Sequence, residues 1–349
     1  MRVLALLVAL ASSLSLASEP TLSAFASLPA DPPPAEIVRG LHYWISNENE
    51  LHLFHDAVKD KGGVYVGVGS DQNYLLGAWA RAEVLVLMDF DQSIVDLHRV
   101  YRVLFRAAET PADFLRLWRL ESRPEVRRLL QEGYADPKER ASALRAYGTA
   151  RWAVDRRLKR VVEQMGKASL PSFVVDADEY AHIRRLFLED KVFMVRGDLT
   201  AKRTVSAVGR AVAQAGMKVG VLYLSNAEQY FPYDKWYRSN IRELPMDEHS
   251  VVVRTSGQRG ISHVKGTYYH YNTQSGSSFI SWLGDAKTRN VRTMLHYAPA
   301  AGTVYGLSRL DTGPEEAREA AKQRLLAKQA VKKLKKVRGP SRPRREAVP

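Results

Sequence analysis

Residues 64–73 carry the most specific pattern in the chain, which reads Val64-Tyr65-Val66-Gly67-Val68-Gly69-Ser70-Asp71-Gln72-Asn73. Its first half is a short, β-branched apolar run, and its second half places two glycines before residues that can begin a helix. Glycines at such a turn let a ligand approach the backbone, and the free N–H groups of the helix start favour polar or anionic groups. The stretch predicts a strand, a loop and a helix, with Ser70 or Asp71 capping the helix.

The same alternation of strand and helix continues along the chain. Further strands are predicted at 83–89, 191–195, 218–224 and 250–253, and helices at 93–107, 201–214 and 234–243. Repeated units of this kind, with strands that are apolar on both faces, indicate a mostly parallel sheet. We therefore predict a Rossmann-like α/β fold. Residues 110–167 show a purely helical pattern and are predicted to be a helical insertion, whereas residues 268–283 end the fold as sheet or ordered loop.

An acidic residue stands where a nucleoside site would need one. Asp89 lies 20 residues beyond Gly69 at the end of the second predicted strand, and a carboxylate there can hold the two hydroxyls of a ribose. The third glycine of a dinucleotide fingerprint is absent, which disfavours NAD and FAD and leaves S-adenosylmethionine as the candidate cofactor. The candidate cofactor-binding residues are Gly67, Gly69, Asp71, Gln72, Asn73 and Asp89. The alternative is that the glycines only permit a tight turn and the acids only cap helices.

Polar residues also follow the third and fourth predicted strands. Asp198 comes after the strand that ends at Val195, and Asn226 and Tyr230 come after the strand that ends at Leu224. Because the carboxyl ends of parallel strands meet in one crevice, these three are the candidate catalytic residues. Asp198 with Glu228 could instead serve a hydrolase as an acid/base pair at neighbouring strand ends, and capping of the following helices is the structural alternative. The histidine spacing predicts no metal site.

The two ends of the chain differ from its centre. Residues 1–18 have a charged start, an apolar run and small residues at a cleavage site, as in a secretory signal peptide, and residues 19–35 are predicted to be a Pro-rich linker. This places the mature protein in the periplasm or outside the cell, the alternative being an N-terminal anchor in the inner membrane. Residues 36–310 form the predicted α/β domain. Residues 311–349 are predicted to be a basic helix and a disordered tail that could meet an anionic surface.

Composition and charge exclude several classes of protein. The chain of 349 residues has a formal charge of +14, is 45% hydrophobic and 26% charged, and contains no cysteine. Disulfides, Cys-ligated zinc and iron–sulfur clusters are excluded, and the apolar content is typical of a globular protein. Of the positive charge, 12 Lys or Arg against 4 Asp or Glu fall in residues 314–349. No base-reading motif accompanies this charge, which disfavours nucleic acid as a partner.

Three motifs at strand ends also resemble a known family. Residues 64–73, 195–200 (Val-Arg-Gly-Asp-Leu-Thr) and 223–230 (Tyr-Leu-Ser-Asn-Ala-Glu-Gln-Tyr) are similar to a bacterial family of unassigned function whose fold is like that of S-adenosylmethionine-dependent methyltransferases. The resemblance spans residues 36–253 and implies that fold. This chain departs from the family at Asp89-Phe90-Asp91, where members show an acid followed by arginines.

Besides an exported hydrolase that uses Asp198 and Glu228, two functions follow, and the sequence leaves all three open. In the first, a methyltransferase-like domain binds S-adenosylmethionine or another nucleoside-like ligand, and alignment of the reacting atoms does most of the chemistry. In the second, an exported, non-catalytic module uses the same crevice to hold a ligand of the cell envelope. The signal peptide favours the second, because S-adenosylmethionine is a cytosolic metabolite.

Overall fold

The computed structural model describes residues 22–33, 42–257, 264–297 and 304–337. The predicted signal peptide and the last twelve residues of the basic tail lie outside these ranges. Everything stated below about the structure refers to the described residues.

Seven strands form one sheet in the spatial order β3-β2-β1-β4-β5-β6-β7. Strands β1 to β5 are mutually parallel, β6 is antiparallel to β5, and β7 runs parallel to β6. The strands are β1 (Val64–Val68), β2 (Val84–Asp89), β3 (Val192–Arg196), β4 (Val219–Ser225), β5 (Val251–Gly257), β6 (Tyr269–Ser275) and β7 (Leu307–Arg309). The chain moves one way from β1 to β3 and the other way from β4 onward, so the order of the strands reverses between β1 and β4.

Helices account for most of the remaining described residues. They are α1 (Ser23–Ala26), α2 (His55–Val58), α3 (Gln72–Trp79), α4 (Gln92–Ala107), α5 (Pro111–Leu117), α6 (Arg123–Gly133), α7 (Pro137–Ala168), α8 (Ala177–Leu188), α9 (Thr204–Gln214), α10 (Lys235–Glu243), α11 (Gly276–Gly284), α12 (Val291–Tyr297) and α13 (Pro314–Val337). Short 3-10 turns cover Leu51–Phe54, Leu120–Ser122 and Ala227–Gln229.

Two hydrophobic cores lie on opposite faces of the sheet. One packs β1 and β2 side chains such as Tyr65 and Leu85 against α3 to α8, and the other packs Val66 and Val86 against α9 to α12. Alternate residues of one strand thus point into different cores, as the pleat requires. Helices on both faces of a mostly parallel sheet define a Rossmann-like α/β fold, and that prediction is confirmed.

The helical segment after α4 supplies part of the first core. Its helices α5, α6 and α7 cover residues 111–168, and α7 packs along α4. Helix α7 begins with Asp136, whose carboxylate accepts from the Lys138 N–H, and with Pro137 in its first turn, which are ordinary helix-start signals. Helix α8 follows before β3, and the predicted ambiguity at residues 268–283 resolves into β6 and α11.

Residues 22–33, which fall within the predicted Pro-rich linker, pack on the α/β domain. Phe25 of α1 is buried and stacks on Phe193 of β3, with the ring centroids 5.1 Å apart. The buried carboxylate of Asp31 accepts hydrogen bonds from the N–H groups of Asp198, Arg203 and Thr204. Prolines disfavour helix here, but one aromatic anchor and one buried acceptor suffice to fix the segment on the domain.

The basic helix α13 is attached to the domain at its first half. Arg318 forms an ion pair with Asp285, and Arg324 donates to the carbonyl of Tyr297 at 2.6 Å. Beyond this point Leu325, Leu326 and Val331 are half exposed. Among the described residues, no helix combines the length and apolarity needed to cross a bilayer.

Candidate functional site

The turn at the end of β1, residues 67–73, is here called the glycine loop, and it is filled by its own side chains. A Cβ placed on Gly67 would lie 2.1 Å from Asn73 Oδ1, and one on Gly69 would lie 2.4 Å from Gln72 Nε2. Asn73 accepts from the Tyr65 hydroxyl at 2.9 Å and donates to the carbonyls of Val68 and Ser70. Gln72 accepts from the Ser70 N–H at 3.2 Å. Gly69 also has a φ of +86°, which a residue with a Cβ rarely adopts. Both glycines are therefore required by the loop itself.

Asp71 forms a buried ion pair instead of capping α3. Its Oδ2 lies 2.8 Å from Nε of Arg157, and both side chains are at most 1% exposed. The other oxygen accepts from the Ser46 N–H at 2.9 Å, so no oxygen of this carboxylate caps the helix. Arg157 belongs to α7, and this ion pair is how the helical insertion reaches the first loop of the sheet.

A neutral histidine holds the same loop from α4. His98 Nε2 lies 2.8 Å from the carbonyl oxygen of Gly69, and Nδ1 lies 2.7 Å from the Tyr74 hydroxyl. Burial lowers the pKa of His98 to about 4, so the ring is neutral at pH 7. Because the Gly69 carbonyl can only accept, Nε2 carries the proton and the Tyr74 hydroxyl donates to Nδ1.

Residues 42–50 lie over the carboxyl ends of the strands where the strand order reverses. Ser70 donates to the carbonyl of Trp44 at 2.7 Å, and Glu48 enters the space beside β4 and β5. The Glu48 carboxylate is buried and accepts hydrogen bonds from the hydroxyls of Tyr223, Thr255, Ser46 and Ser225. Burial raises the pKa of Glu48, although these hydroxyls act in the opposite sense.

This arrangement does not fit S-adenosylmethionine in the crevice that the fold would offer it. In an open α/β sheet the ligand crevice lies at the point of reversal, here between β1 and β4. That place holds the side chains of Gln72, Asn73 and Glu48, all buried, and is covered by residues 42–50. We therefore derive no step of methyl transfer from this site.

Among the candidate cofactor-binding residues, Asp89 and Gly69 are not fully buried. Asp89 ends β2, is partly exposed, and accepts from the Asp91 N–H at 2.8 Å. The surrounding protein withdraws the carboxyl group from water and raises its pKa to about 7, with the nearby Asp91 charge acting in the same direction. Asp91 itself caps α4 through Ser93 and lies 2.6 Å from His42 Nδ1.

The predicted acid/base pair of Asp198 and Glu228 is corrected by the strand order. Asp198 follows β3 and Glu228 follows β4, and β2 and β1 lie between these strands. Three strand spacings amount to about 14 Å. Glu228 is also buried. Its Oε2 lies 3.2 Å from Nε of Arg254, and its Oε1 accepts from the hydroxyls of Tyr233 and Tyr237. Asp198 accepts from the Thr200 N–H and hydroxyl, both at 2.8 Å, and so organises its own turn.

Asn226 and Tyr230 belong to an exposed polar-aromatic surface at the ends of β4 to β6. We call it the tyrosine patch, and it comprises Tyr43, Asn47, Asn226, Tyr230 and Tyr268 together with Tyr269, whose side chain is buried. The side chains of Tyr43, Tyr230 and Tyr268 are 64%, 76% and 66% exposed. Partial burial and the nearby Tyr43 and Tyr268 hydroxyls raise the pKa of Tyr230, and the ring centroids of Tyr268 and Tyr269 lie 5.0 Å apart.

The hydroxyl of Tyr269 links the members of the tyrosine patch. Its oxygen accepts from Nδ2 of Asn47 and Nδ2 of Asn226, each at 2.9 Å. Asn226 also donates to the Tyr230 hydroxyl at 3.4 Å. With both lone pairs of Tyr269 engaged, its O–H proton finds no acceptor among the described residues.

Comparison with known proteins places this chain in a family. Residues 43–311, more than half of the chain, match the sequence profile of a family described as Domain of unknown function (DUF7790). The chain belongs to this family. The profile that matches is not one of a methyltransferase family, and no curated protein matches the chain. Among the described residues of the DUF7790 domain, no group of three or more His, Asp or Glu side chains is arranged to hold a metal ion.

Several residues that shape the site of the DUF7790 domain escape sequence reasoning. Arg157, Glu48 and Asn47 lie in segments without a motif and meet their partners across 86, 175 and 222 residues of chain. Tyr269 lies in a stretch of alternating aromatic and polar residues, which indicates a strand end but not a hydrogen-bond partner. Of the predicted residues, Asn226 and Tyr230 come together, whereas Asp198 lies apart from them.

We expect Asp71→Asn to destabilise the DUF7790 domain by about 3–5 kcal/mol, because it leaves the buried Arg157 guanidinium without a counter-charge. The double variant Asp71→Asn/Arg157→Met should lose less than the sum of its single variants. Urea unfolding followed by circular dichroism measures both. The control is Asp155→Asn on α7, which removes an ion pair with the exposed Lys159 and should cost below about 1 kcal/mol. Equal losses for Asp71→Asn and Asp155→Asn would show that the buried pair is unimportant.

We expect Asp89 to make the domain less stable as the pH rises. A carboxyl group whose pKa is higher in the folded than in the unfolded state binds more protons when folded, so the free energy of unfolding falls between about pH 4 and pH 7. In Asp89→Asn this contribution disappears. The difference in stability between the variant and the natural protein should grow in favour of the variant up to pH 7 and then level off. Denaturant titrations at pH 4.5, 6 and 8 test this, and a difference that does not change with pH contradicts it.

Proposed function

We propose that this protein is an exported, non-catalytic binding module that holds a polyhydroxylated ring, such as a sugar, on the tyrosine patch. The observation that carries the proposal is the hydrogen-bonded set of Asn47, Asn226 and Tyr269 flanked by three solvent-facing tyrosines. Tyrosine rings supply large, rigid contact surfaces, and amides with hydroxyls supply donors and acceptors that match those of a sugar.

The groups proposed for catalysis argue against an enzyme. The Glu228 carboxylate is paired with Arg254 and accepts hydrogen bonds from two tyrosine hydroxyls. Three strand spacings, or about 14 Å, separate the strand that precedes Asp198 from the strand that precedes Glu228. Tyr230 is largely exposed, and its pKa is raised, which makes its phenol a poorer general acid at neutral pH. Recognition requires only the positioned donors and aromatic faces that the tyrosine patch has.

A sugar ring is shared by glycans and nucleosides, and the ligand test separates these sources. Residues 18–349 are titrated calorimetrically with chitotetraose and maltotetraose in one arm and with adenosine and S-adenosylhomocysteine in the other. We expect saturable binding in one arm and at least a tenfold loss of affinity, or about 1.4 kcal/mol, in Tyr230→Ala and Tyr268→Ala. Trp152→Ala, which removes an exposed aromatic of α7, is the matched control. Absence of binding in both arms, or equal losses in the control, refutes the proposal.

Export is the other part of the proposal, and it has a separate test. We expect the chain, expressed with a C-terminal tag in a Gram-negative host, to appear in the periplasm or medium with a mature N-terminus near Ser18. Leu6→Arg, which breaks the apolar run of residues 3–17, should retain the full-length chain in the cytoplasm. Full-length natural protein in the membrane fraction would instead support the uncleaved anchor, and full-length protein in the cytosol would refute export.

A further inference from the structure

A cavity of about 690 Å³ opens beside the end of β3, at the other end of the sheet edge from the tyrosine patch. Its volume lies in the range of small-molecule sites. The lining comes from residues 30–33, from β3 with the β3–α9 loop, and from α10. The lining residues that matter for binding are Asp31, Pro32, Pro33, Arg196, Lys202, Arg203 and Trp236.

The positive charges of this cavity lack carboxylate partners. Within the described parts of the chain, no acidic side chain lies within 4.0 Å of the charged groups of Arg196, Lys202 or Arg203. Arg196 is held in place by the Asp31 carbonyl at 2.7 Å and by Gln92. The ammonium groups of Lys202 and Lys235 lie 4.5 and 5.0 Å from the ring centre of Trp236. Like charges gathered around one cavity repel each other, and a bound anion would relieve that repulsion.

The acidic residue of the lining does not cancel this charge. The Asp31 carboxylate is 1% exposed and accepts from three backbone N–H groups at the start of α9. It thus occupies the anion position that a helix start offers. The cationic side chains of the lining residues have no carboxylate partner of their own among the described residues and are left for a group from outside.

The remaining walls of the cavity are apolar and suit a ring. Pro32, Pro33 and Trp236 give flat or aliphatic surfaces beside the cations. An inorganic anion would leave Pro32 and Pro33 without a partner, whereas the Trp236 ring already contacts the ammonium groups of Lys202 and Lys235. Arginines in a fixed position prefer phosphate and carboxylate oxygens, and a doubly charged phosphate gains most from several converging cations.

From these observations we infer that the cavity binds an organic phosphate, with the phosphate group between Arg196, Lys202 and Arg203 and its ring against Pro32 and Pro33, beside Trp236. This site does not depend on the tyrosine patch, from which it differs in ligand charge and in position along the sheet edge. Lys202 and Arg203 are exposed and are not part of a core, so their replacement leaves the fold intact.

The test is titration of residues 18–349 with phenyl phosphate, AMP and glucose 6-phosphate, with inorganic phosphate and phenol as partial ligands. We expect at least one organic phosphate to bind saturably, more tightly than inorganic phosphate and with an affinity that falls as NaCl is raised. The variant Lys202→Ala/Arg203→Gln should weaken binding at least tenfold. Trp236→Ala should weaken the organic phosphates more than inorganic phosphate.

A second basic cavity provides the matched control. Arg123 and Arg127 of α6 line a surface cavity of about 490 Å³ that has no aromatic wall. Arg123→Gln/Arg127→Gln removes the same net charge and should change the affinity by less than twofold. The inference is overturned if no organic phosphate binds, if phenol binds as well as phenyl phosphate, or if both double variants lose affinity equally.

Discussion

The ion pair between Asp71 and Arg157 is the constraint on which the rest of the site depends. It joins the loop after β1 to α7, and the second oxygen of Asp71 fixes residues 42–50 through Ser46. Two buried charges are costly to bring out of water unless each satisfies the other. The glycine loop, the helical insertion and residues 42–50 therefore form one unit, in which a change in any member alters the others.

The carboxyl edge of the sheet is divided by this unit into three regions. The central region, over β1 and β4, is occupied by Glu48, Gln72 and Asn73 of the chain itself. The tyrosine patch lies on one side, over β4 to β6, and the cation-lined cavity lies on the other, beside β3. A fold whose ligand crevice is usually central has here closed that crevice and left accessible surfaces at both flanks.

The sequence is a good guide to the fold and a partial guide to the site. Apolar runs predicted β1 to β5 to within a few residues, because both faces of these strands are buried and the pattern is local. The role of Asp71 was predicted as a cap, since capping depends on neighbouring residues, whereas its actual partner comes from 86 residues away. Asp198 and Glu228 were predicted to be neighbours because chain order suggests it, but the reversal of strand order between β1 and β4 separates them. Sequence patterns indicate interactions between residues that are near each other in the chain, whereas the partners of a buried charge can come from distant parts of the chain.

The N-terminal segments have a consequence for how the protein assembles. Pro29 and Asp31 bind residues of β3 and α9, Glu48 binds Tyr223, and Asn47 binds Tyr269, across separations of 165 to 222 residues. Contacts so distant along the chain form only after large loops have closed, and such closure slows folding. Residue 269 must be synthesised before residues 29–31 and 47–48 can reach all of these partners. Docking of the N-terminal segments is therefore a late event in folding, and until it occurs the carboxyl edge of the sheet remains open.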